Sequence, residues 1–195
     1  MAHIDTPRLE DIEVEYFTEE IETRQLYQFL GRISHLDFTQ FKRAQVIYGE
    51  CYATVQLDRP RGESHQVRFS LDVEISCMAR VLGRFVAMLS KVNHLSVHRL
   101  CWRESEDTIK TIEWLPLLHI FPAVEVLHVY GRVASNLATV LEDIAEEKVT
   151  KVLLVLHSLW LGDGNGLVPL TERFLSLRQL SGRPITVVDT REKFE

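Results

Sequence analysis

Two histidines have a spacing that could bind a metal ion. His94 and His98 are four positions apart, and on a helix this spacing places two imidazoles where they can chelate one ion. The residues around them alternate between apolar and polar, which predicts an extended strand, where the two histidines would be about 13 Å apart. His98 and His128 could approach each other from neighbouring strands, but no third ligand accompanies them. We therefore predict no metal site.

A glycine-rich segment could hold a phosphate. The segment is Gly162-Asp163-Gly164-Asn165-Gly166, and it follows a predicted strand and precedes a predicted helix, where phosphate-binding loops lie. Its spacing matches neither G-x-G-x-x-G nor G-x-x-x-x-G-K-[ST], so we interpret it as a connection. A small α/β enzyme that binds a nucleotide or anion at residues 162–166 remains the alternative.

Motifs for covalent or metal-assisted catalysis do not occur in the chain. There is no G-x-S-x-G elbow and no H-E-x-x-H sequence, and these are the signatures of serine hydrolases and zinc proteases. The three cysteines have no neighbouring histidine to activate a thiolate, and we interpret them as buried structural thiols: Cys51, Cys77 and Cys101. We predict a protein that is not an enzyme, with no catalytic residue and no cofactor.

Composition narrows the classes of partner. The chain has 195 residues and a formal net charge of −6, which argues against a nucleic-acid binder because such proteins carry a clustered basic face. No apolar run reaches the roughly 20 residues that span a bilayer. The N-terminal residues lack the basic and apolar segments of a signal peptide. We expect a cytoplasmic or nuclear protein with a protein partner and no membrane contact.

A recurring template positions the candidate residues. It consists of two apolar residues three apart, followed by an aliphatic residue two positions further on. The template occurs five times, at Leu9–Val14, Phe41–Val46, Val92–Val97, Val124–Val129 and Leu156–Leu161. Three of the four steps between these frames are 32 residues long. A fixed period of this length indicates stacked repeats.

Helical patterns separate the frames, so strands alternate with helices along the chain. This order is typical of a parallel sheet with helical crossovers. We predict one α/β repeat domain over residues 1–195: a leucine-rich-repeat-like arc with a curved parallel sheet and helices on its convex side. A compact doubly wound sheet with helices on both faces is the alternative.

One interval is longer than the others. The step from Phe41 to Val92 is 51 residues, 19 more than the period. Two alternating segments flank a turn-forming stretch at residues 58–63, which predicts a β-hairpin inserted at about 51–74. We expect the hairpin to cover an edge of the sheet as a decoration, with an interaction flap as the alternative.

The residues between the buried aliphatics should form columns on the concave side of the arc. The middle column reads Glu13, Gln45, Ser96, His128, Trp160 and Thr186. This surface would be acidic at its N-terminal end and rich in aromatic residues and histidine toward the other end. Exposed aromatic residues side by side suit a protein-binding patch, and an ordinary solvated sheet face is the alternative. The predicted partner-binding residues are Glu13, Glu15, His98, His128, Tyr130 and Trp160.

Two segments carry a resemblance to a known family. The stretches 114–125 (WLPLLHIFPAVE) and 173–184 (RFLSLRQLSGRP) resemble the C-terminal repeat region of fungal F-box and leucine-rich-repeat proteins. In that family an N-terminal F-box docks on the adaptor of a cullin-type ubiquitin ligase, and the repeat arc recruits a substrate. No F-box-like segment is recognised here, so an adaptor contact is not expected. The resemblance implies recruitment of a protein partner or ligase substrate; a fragment without an independent role is a further alternative.

Overall fold

Eight strands and four short helices have full bounds in the described part of the chain, which also includes isolated helical residues. The computed structural model describes residues 11–14, 25, 28, 38–49, 52–58, 66–71, 75–99, 114–130, 137, 140–141, 153–162 and 172–189. The strands are β1 (Asp11–Val14), β2 (Arg43–Tyr48), β3 (Ala53–Asp58), β4 (Gln66–Leu71), β5 (His94–Arg99), β6 (Val126–Tyr130), β7 (Ser158–Gly162) and β8 (Thr186–Asp189). The helices are α1 (Ile75–Leu82), α2 (Val86–Leu89), α3 (Trp114–Ile120) and α4 (Glu172–Leu180), with 3₁₀ turns at Phe38–Gln40 and Gly83–Phe85.

All eight strands belong to one sheet, in the order β1-β4-β3-β2-β5-β6-β7-β8. Strand β3 is antiparallel to both of its neighbours, and every other neighbouring pair is parallel. The α/β class predicted from sequence is therefore confirmed, and the sheet is mixed because the inserted strand β3 is antiparallel to β2 and β4. Strands β5 to β8 follow one another in chain order on one side of β2, whereas β3, β4 and β1 lie on its other side.

The inserted segment contains the predicted β-hairpin, because β3 and β4 pair in antiparallel fashion. The hairpin lies within the sheet, between β1 and β2, which corrects the expectation that it decorates an edge. Strands β2, β3 and β4 form an antiparallel meander, and β1 pairs with the far side of β4, with Asp11 opposite Gln66. The first two frames are consequently separated by two strands. The physical reason lies in the alternation of β3: Ala53, Val55 and Leu57 are completely buried, and an apolar face of that kind must continue the core of the sheet.

The same turn precedes four of the frames. The first residue of each of these four frames is buried, and its amide donates to the carbonyl three residues earlier. These bonds join Phe41 to Phe38 (3.2 Å), Val92 to Leu89 (3.1 Å), Val124 to Phe121 (3.3 Å) and Leu156 to Leu153 (3.0 Å). The 32-residue steps from Val92 to Val124 and from Val124 to Leu156 therefore connect structurally equivalent positions.

A backbone ladder joins these turns from strand to strand. The carbonyl of Lys42 accepts from the amides of Asn93 (3.0 Å) and His94 (2.9 Å). The next two units repeat this arrangement: the Asn93 carbonyl accepts from residues 125 and 126, and the Glu125 carbonyl from residues 157 and 158. Each unit is thus held in register with the next at the point where its strand begins.

The aliphatic positions of the frames form the sheet's contribution to the core. Ala44, Leu95, Leu127 and Leu159 lie side by side in one row, and all four are buried. Each of the four helices contributes buried side chains to the same core, among them Leu82, Leu89, Trp114 and Phe174. In the described part of the chain, no helix has the length and hydropathy needed to cross a bilayer.

Candidate functional site

The face of the sheet opposite the core carries the predicted columns. We call it the open face and define it by the half-buried or exposed positions of β2, β5, β6 and β7. These are Arg43, Gln45, Ile47, His94, Ser96, His98, Val126, His128, Tyr130, Ser158 and Trp160. They point away from the core because side chains alternate along each strand.

The middle column has the predicted register with one difference at its end. Gln45, Ser96, His128 and Trp160 lie opposite one another across β2, β5, β6 and β7. On β8 this column ends at Val188, which lies opposite Trp160, whereas Thr186 lies opposite Ser158. The prediction was wrong by two residues there because Val187 continues the core row next to Leu159, a position that the apolar run 185–188 does not single out.

Two pairs of stacked rings dominate the open face. The rings of His98 and Tyr130 have centroids 4.0 Å apart and an interplanar angle of 12°. His128 and Trp160 stack at 5.2 Å with an angle of 3°, and the Tyr130 hydroxyl lies 3.5 Å from Nδ1 of His128. The structure therefore brings together four of the six residues predicted to bind a partner.

Gln45 fixes the ring of His98 from the neighbouring strand. Its side-chain amide nitrogen lies 3.1 Å from Nε2 of His98, and an amide nitrogen can only donate. With the amide nitrogen as the donor, Nε2 of His98 is the acceptor. Sequence reasoning placed Gln45 in the middle column but missed this contact, because it runs diagonally between positions of adjacent columns.

The histidines of the open face favour the neutral state. Burial lowers the pKa of His98. For His128, burial lowers the pKa most, and the charges of His94, Arg43 and His98 lower it further. The pKa of His94 is also lowered, by burial first and then by Arg43 and His157, although Glu125 acts in the opposite direction. These imidazoles are uncharged at neutral pH and become cationic only in acid.

The N-terminal end of the sheet is less acidic than predicted. Glu13 forms an ion pair with Arg68 at 3.2 Å, and Arg68 also donates to the Gln56 side chain at 3.2 Å. This neutralises the carboxylate that was predicted to contact a partner. Arg68 was missed because β4 was expected to decorate an edge, whereas it lies directly beside β1. Glu15, the other predicted acidic contact, lies outside the described residues.

The structure describes only part of the residues considered for a metal site and a phosphate loop. Among the described residues, no group of three or more His, Cys, Asp or Glu side chains could hold a metal ion. His94 and His98 are four residues apart on β5, and the extended geometry of the strand keeps their side chains apart. Of the predicted phosphate loop, only Gly162 is described, as the last residue of β7; residues 163–166 lie outside the described part.

The lowered histidine pKa values predict how stability depends on pH. Unfolded histidines titrate near pH 6.5, and His98 and His128 titrate below this when folded. The unfolded chain therefore binds more protons as the pH falls below about 6.5, and this lowers the free energy of unfolding. We expect the melting temperature to fall between pH 7.5 and pH 5.5, and to fall less in the double variant His98→Gln/His128→Gln. An unchanged slope in calorimetry would contradict these pKa directions.

In comparisons with protein-family models, with curated proteins and with solved structures, no match to this chain is found. The function is therefore inferred from the geometry of the open face.

Proposed function

We propose that the protein is a non-enzymatic interaction module whose open face binds a protein partner. The observation that carries this proposal is the pair of ring stacks, His98 with Tyr130 and His128 with Trp160. The four side chains are half-buried, so each still offers area to a partner while its own orientation is fixed by a neighbour.

Pre-organised aromatic side chains are efficient contact residues. Tyrosine and tryptophan are enriched among the residues that contribute most to binding, and truncating such a residue commonly costs about 2 kcal/mol or more. A side chain that is already held by stacking loses little rotamer entropy when the partner arrives. The imidazoles add donors and acceptors beside the aromatic area, which gives the surface both affinity and orientation.

We further propose that the repeats form a leucine-rich-repeat-like arc that serves as the recruiting part of a ubiquitin-ligase receptor. Support comes from the four equivalent turns, the backbone ladder between them and the resemblance of residues 114–125 and 173–184 to the repeat region of fungal F-box proteins. In this proposal the partner is a ligase substrate or another protein, and the compartment is the cytoplasm or the nucleus.

The double variant Tyr130→Ala/Trp160→Ala tests the open face. We expect partner capture from a native extract to fall at least about tenfold, because both central contact side chains are removed. The melting temperature should change by less than about 8 °C, since the loss of two half-exposed stacking contacts costs only about 1–2 kcal/mol. Quantitative pull-down followed by mass spectrometry measures capture, and differential scanning calorimetry measures stability.

A matched control removes apolar area elsewhere. Leu115 and Leu180 are exposed aliphatic residues on α3 and α4, away from the open face. The variant Leu115→Ala/Leu180→Ala should retain capture within about twofold. Capture that survives the loss of Tyr130 and Trp160, or that is lost equally in the control, would remove the open face as the interaction site.

A further inference from the structure

Three imidazoles surround Ser96 on the open face. His94 and His98 flank it on β5, two residues away on either side, and His128 lies directly opposite it on β6. Arg43 lies opposite His94 on β2. Four basic side chains thus occupy neighbouring positions on three adjacent strands, with Tyr130 and Trp160 next to them.

This part of the surface differs in charge from the whole chain. The chain contains 28 acidic and 22 basic residues other than histidine, yet none of the open-face positions defined above on β2, β5, β6 and β7 is an aspartate or glutamate. The nearest described carboxylates are at its border. Glu125 precedes β6 and lies 3.9 Å from His157, and Asp58 lies opposite Arg43 on β3.

We propose that the open face binds an extended acidic segment of a protein partner. A carboxylate of this segment lies over Arg43, His94 and His128, and a neighbouring apolar side chain rests on Tyr130 and Trp160. This inference rests on the proposed interaction function and specifies the chemistry of the partner.

The spacing of the open face fits an extended peptide. The columns of the open face are rows of side chains that run across the strands, such as Gln45, Ser96, His128 and Trp160. Successive rows are two residues apart along each strand, which is about 6.6–6.8 Å. Alternate side chains of an extended peptide have the same spacing, so a segment that runs along the strands places every second side chain on a row. A carboxylate above the row of Arg43 and His94 then brings the next side chain of that set to the row of His128 and Trp160.

Binding of such a segment is coupled to proton uptake. A carboxylate placed over the imidazoles favours their charged form, so the pKa values of His94 and His128 rise on binding. Because the bound state then holds more protons than the free state, affinity increases as the pH falls. Arg43, His98 and His157 oppose this protonation, and a charged His94 also opposes the protonation of His128, whereas Glu125 supports that of His94. Asp58 competes with the partner for Arg43. The partner's carboxylate must outweigh these opposing interactions.

Fluorescence anisotropy with labelled, end-capped peptides tests the proposal. The first probe alternates glutamate with threonine and carries one central phenylalanine; a second replaces each glutamate with glutamine, and a third with lysine. We expect the dissociation constant of the glutamate probe to fall at least about fivefold from pH 7.5 to pH 5.5, where glutamate is still ionised. The glutamine probe should change less than about twofold, and the lysine probe should bind weakest at pH 5.5.

Two variants assign the pH effect to the open face. His94→Gln/His128→Gln should abolish the pH dependence of the glutamate probe while leaving residual binding through Arg43. The control His119→Gln removes an imidazole from α3, outside the open face, and should retain the pH dependence. A general change in net charge would affect both variants equally, and that result would overturn the proposal.

Other outcomes separate this inference from the proposed function. Equal affinity for the glutamate and glutamine probes, or tighter binding of a labelled oligothymidylate, would overturn the acidic-segment proposal. If neither peptide binds while Tyr130→Ala/Trp160→Ala still loses partner capture, the acidic segment is refuted and the interaction function stands. Retained capture in that variant refutes the interaction function itself.

Discussion

Replacing Leu127 with Ala should lower the free energy of unfolding by about 3–5 kcal/mol. Leu127 is 0% exposed and lies on β6, with Leu95 and Leu159 opposite it on the strands to either side. Strands on both sides and helices above keep the backbone from collapsing into the cavity that the substitution leaves. Urea denaturation at pH 7.5, followed by circular dichroism, measures the change.

The next residue of the same strand supplies the control. His128 points to the open face and stacks on Trp160, so His128→Gln removes one stacking contact without opening a core cavity. We expect it to cost no more than about 1 kcal/mol. If the two substitutions have similar costs, the assignment of alternate residues of β6 to the core and to the open face is wrong.

The repeats could be predicted because each unit carries the same local information. Val92, Val124 and Leu156 begin frames in which the first apolar residue enters the core from a turn and the next two enter it from a strand. Both the turn and the alternation are local, so sequence spacing alone determines which residues are buried. The rows of the open face from β2 to β7 follow directly, and they include His98, His128, Tyr130 and Trp160.

The place of β1 and of the insertion could not be predicted in this way. Alternation shows that Val55, Leu57, Val67 and Phe69 lie on one face of their strands, but it does not show which strand pairs with which. Pairing depends on contacts between residues far apart in sequence, such as Asp11 with Gln66. Because β4 was not predicted to lie beside β1, the N-terminal end of the surface was predicted to be acidic without the neighbouring charge of Arg68.

Strand β8 illustrates a second limit, at the end of the array. Val187 occupies the core row beside Leu159, yet it is 38% exposed, whereas Leu159 is fully buried. In the described part of the chain β8 has a neighbouring strand on one side only. A core position that is buried on the inner strands of the sheet is therefore partly exposed on β8. The apolar character of Val187 alone does not reveal this difference in exposure.

Helix α4 buries an arginine and exposes a leucine. Leu180 is 83% exposed, whereas Arg178 is 1% exposed. Arg178 follows the buried Phe174 by four residues, so the two lie on the same side of the helix. The guanidinium donates from Nη2 to the carbonyls of Leu156 (2.8 Å) and Leu154 (3.4 Å). A buried arginine with this role cannot be distinguished in sequence from a solvated one.

Arg178 stabilises the turn that leads into β7. Leu153 begins this turn with a φ of 53°, in the left-handed region that costs a residue with a β-carbon about 1–2 kcal/mol. The carbonyls of Leu154 and Leu156 lie in the same turn. The charged hydrogen bonds of Arg178 satisfy them and connect α4 to the start of the strand, so this side chain offsets backbone strain as well as filling space in the core.

Arg178→Ala should therefore lower the free energy of unfolding by about 3–4 kcal/mol, because it removes hydrogen bonds from a charged donor and leaves a cavity beside Phe174. Arg178→Lys should recover less than half of this loss, since an ammonium group is more strongly hydrated than a guanidinium and costs more to bury. The control Arg183→Ala, at an exposed position in the turn after α4, should cost less than about 0.5 kcal/mol. Urea denaturation of the three variants provides the comparison. A loss for Arg178→Ala no larger than that for Arg183→Ala would show that the buried guanidinium does not hold the turn before β7.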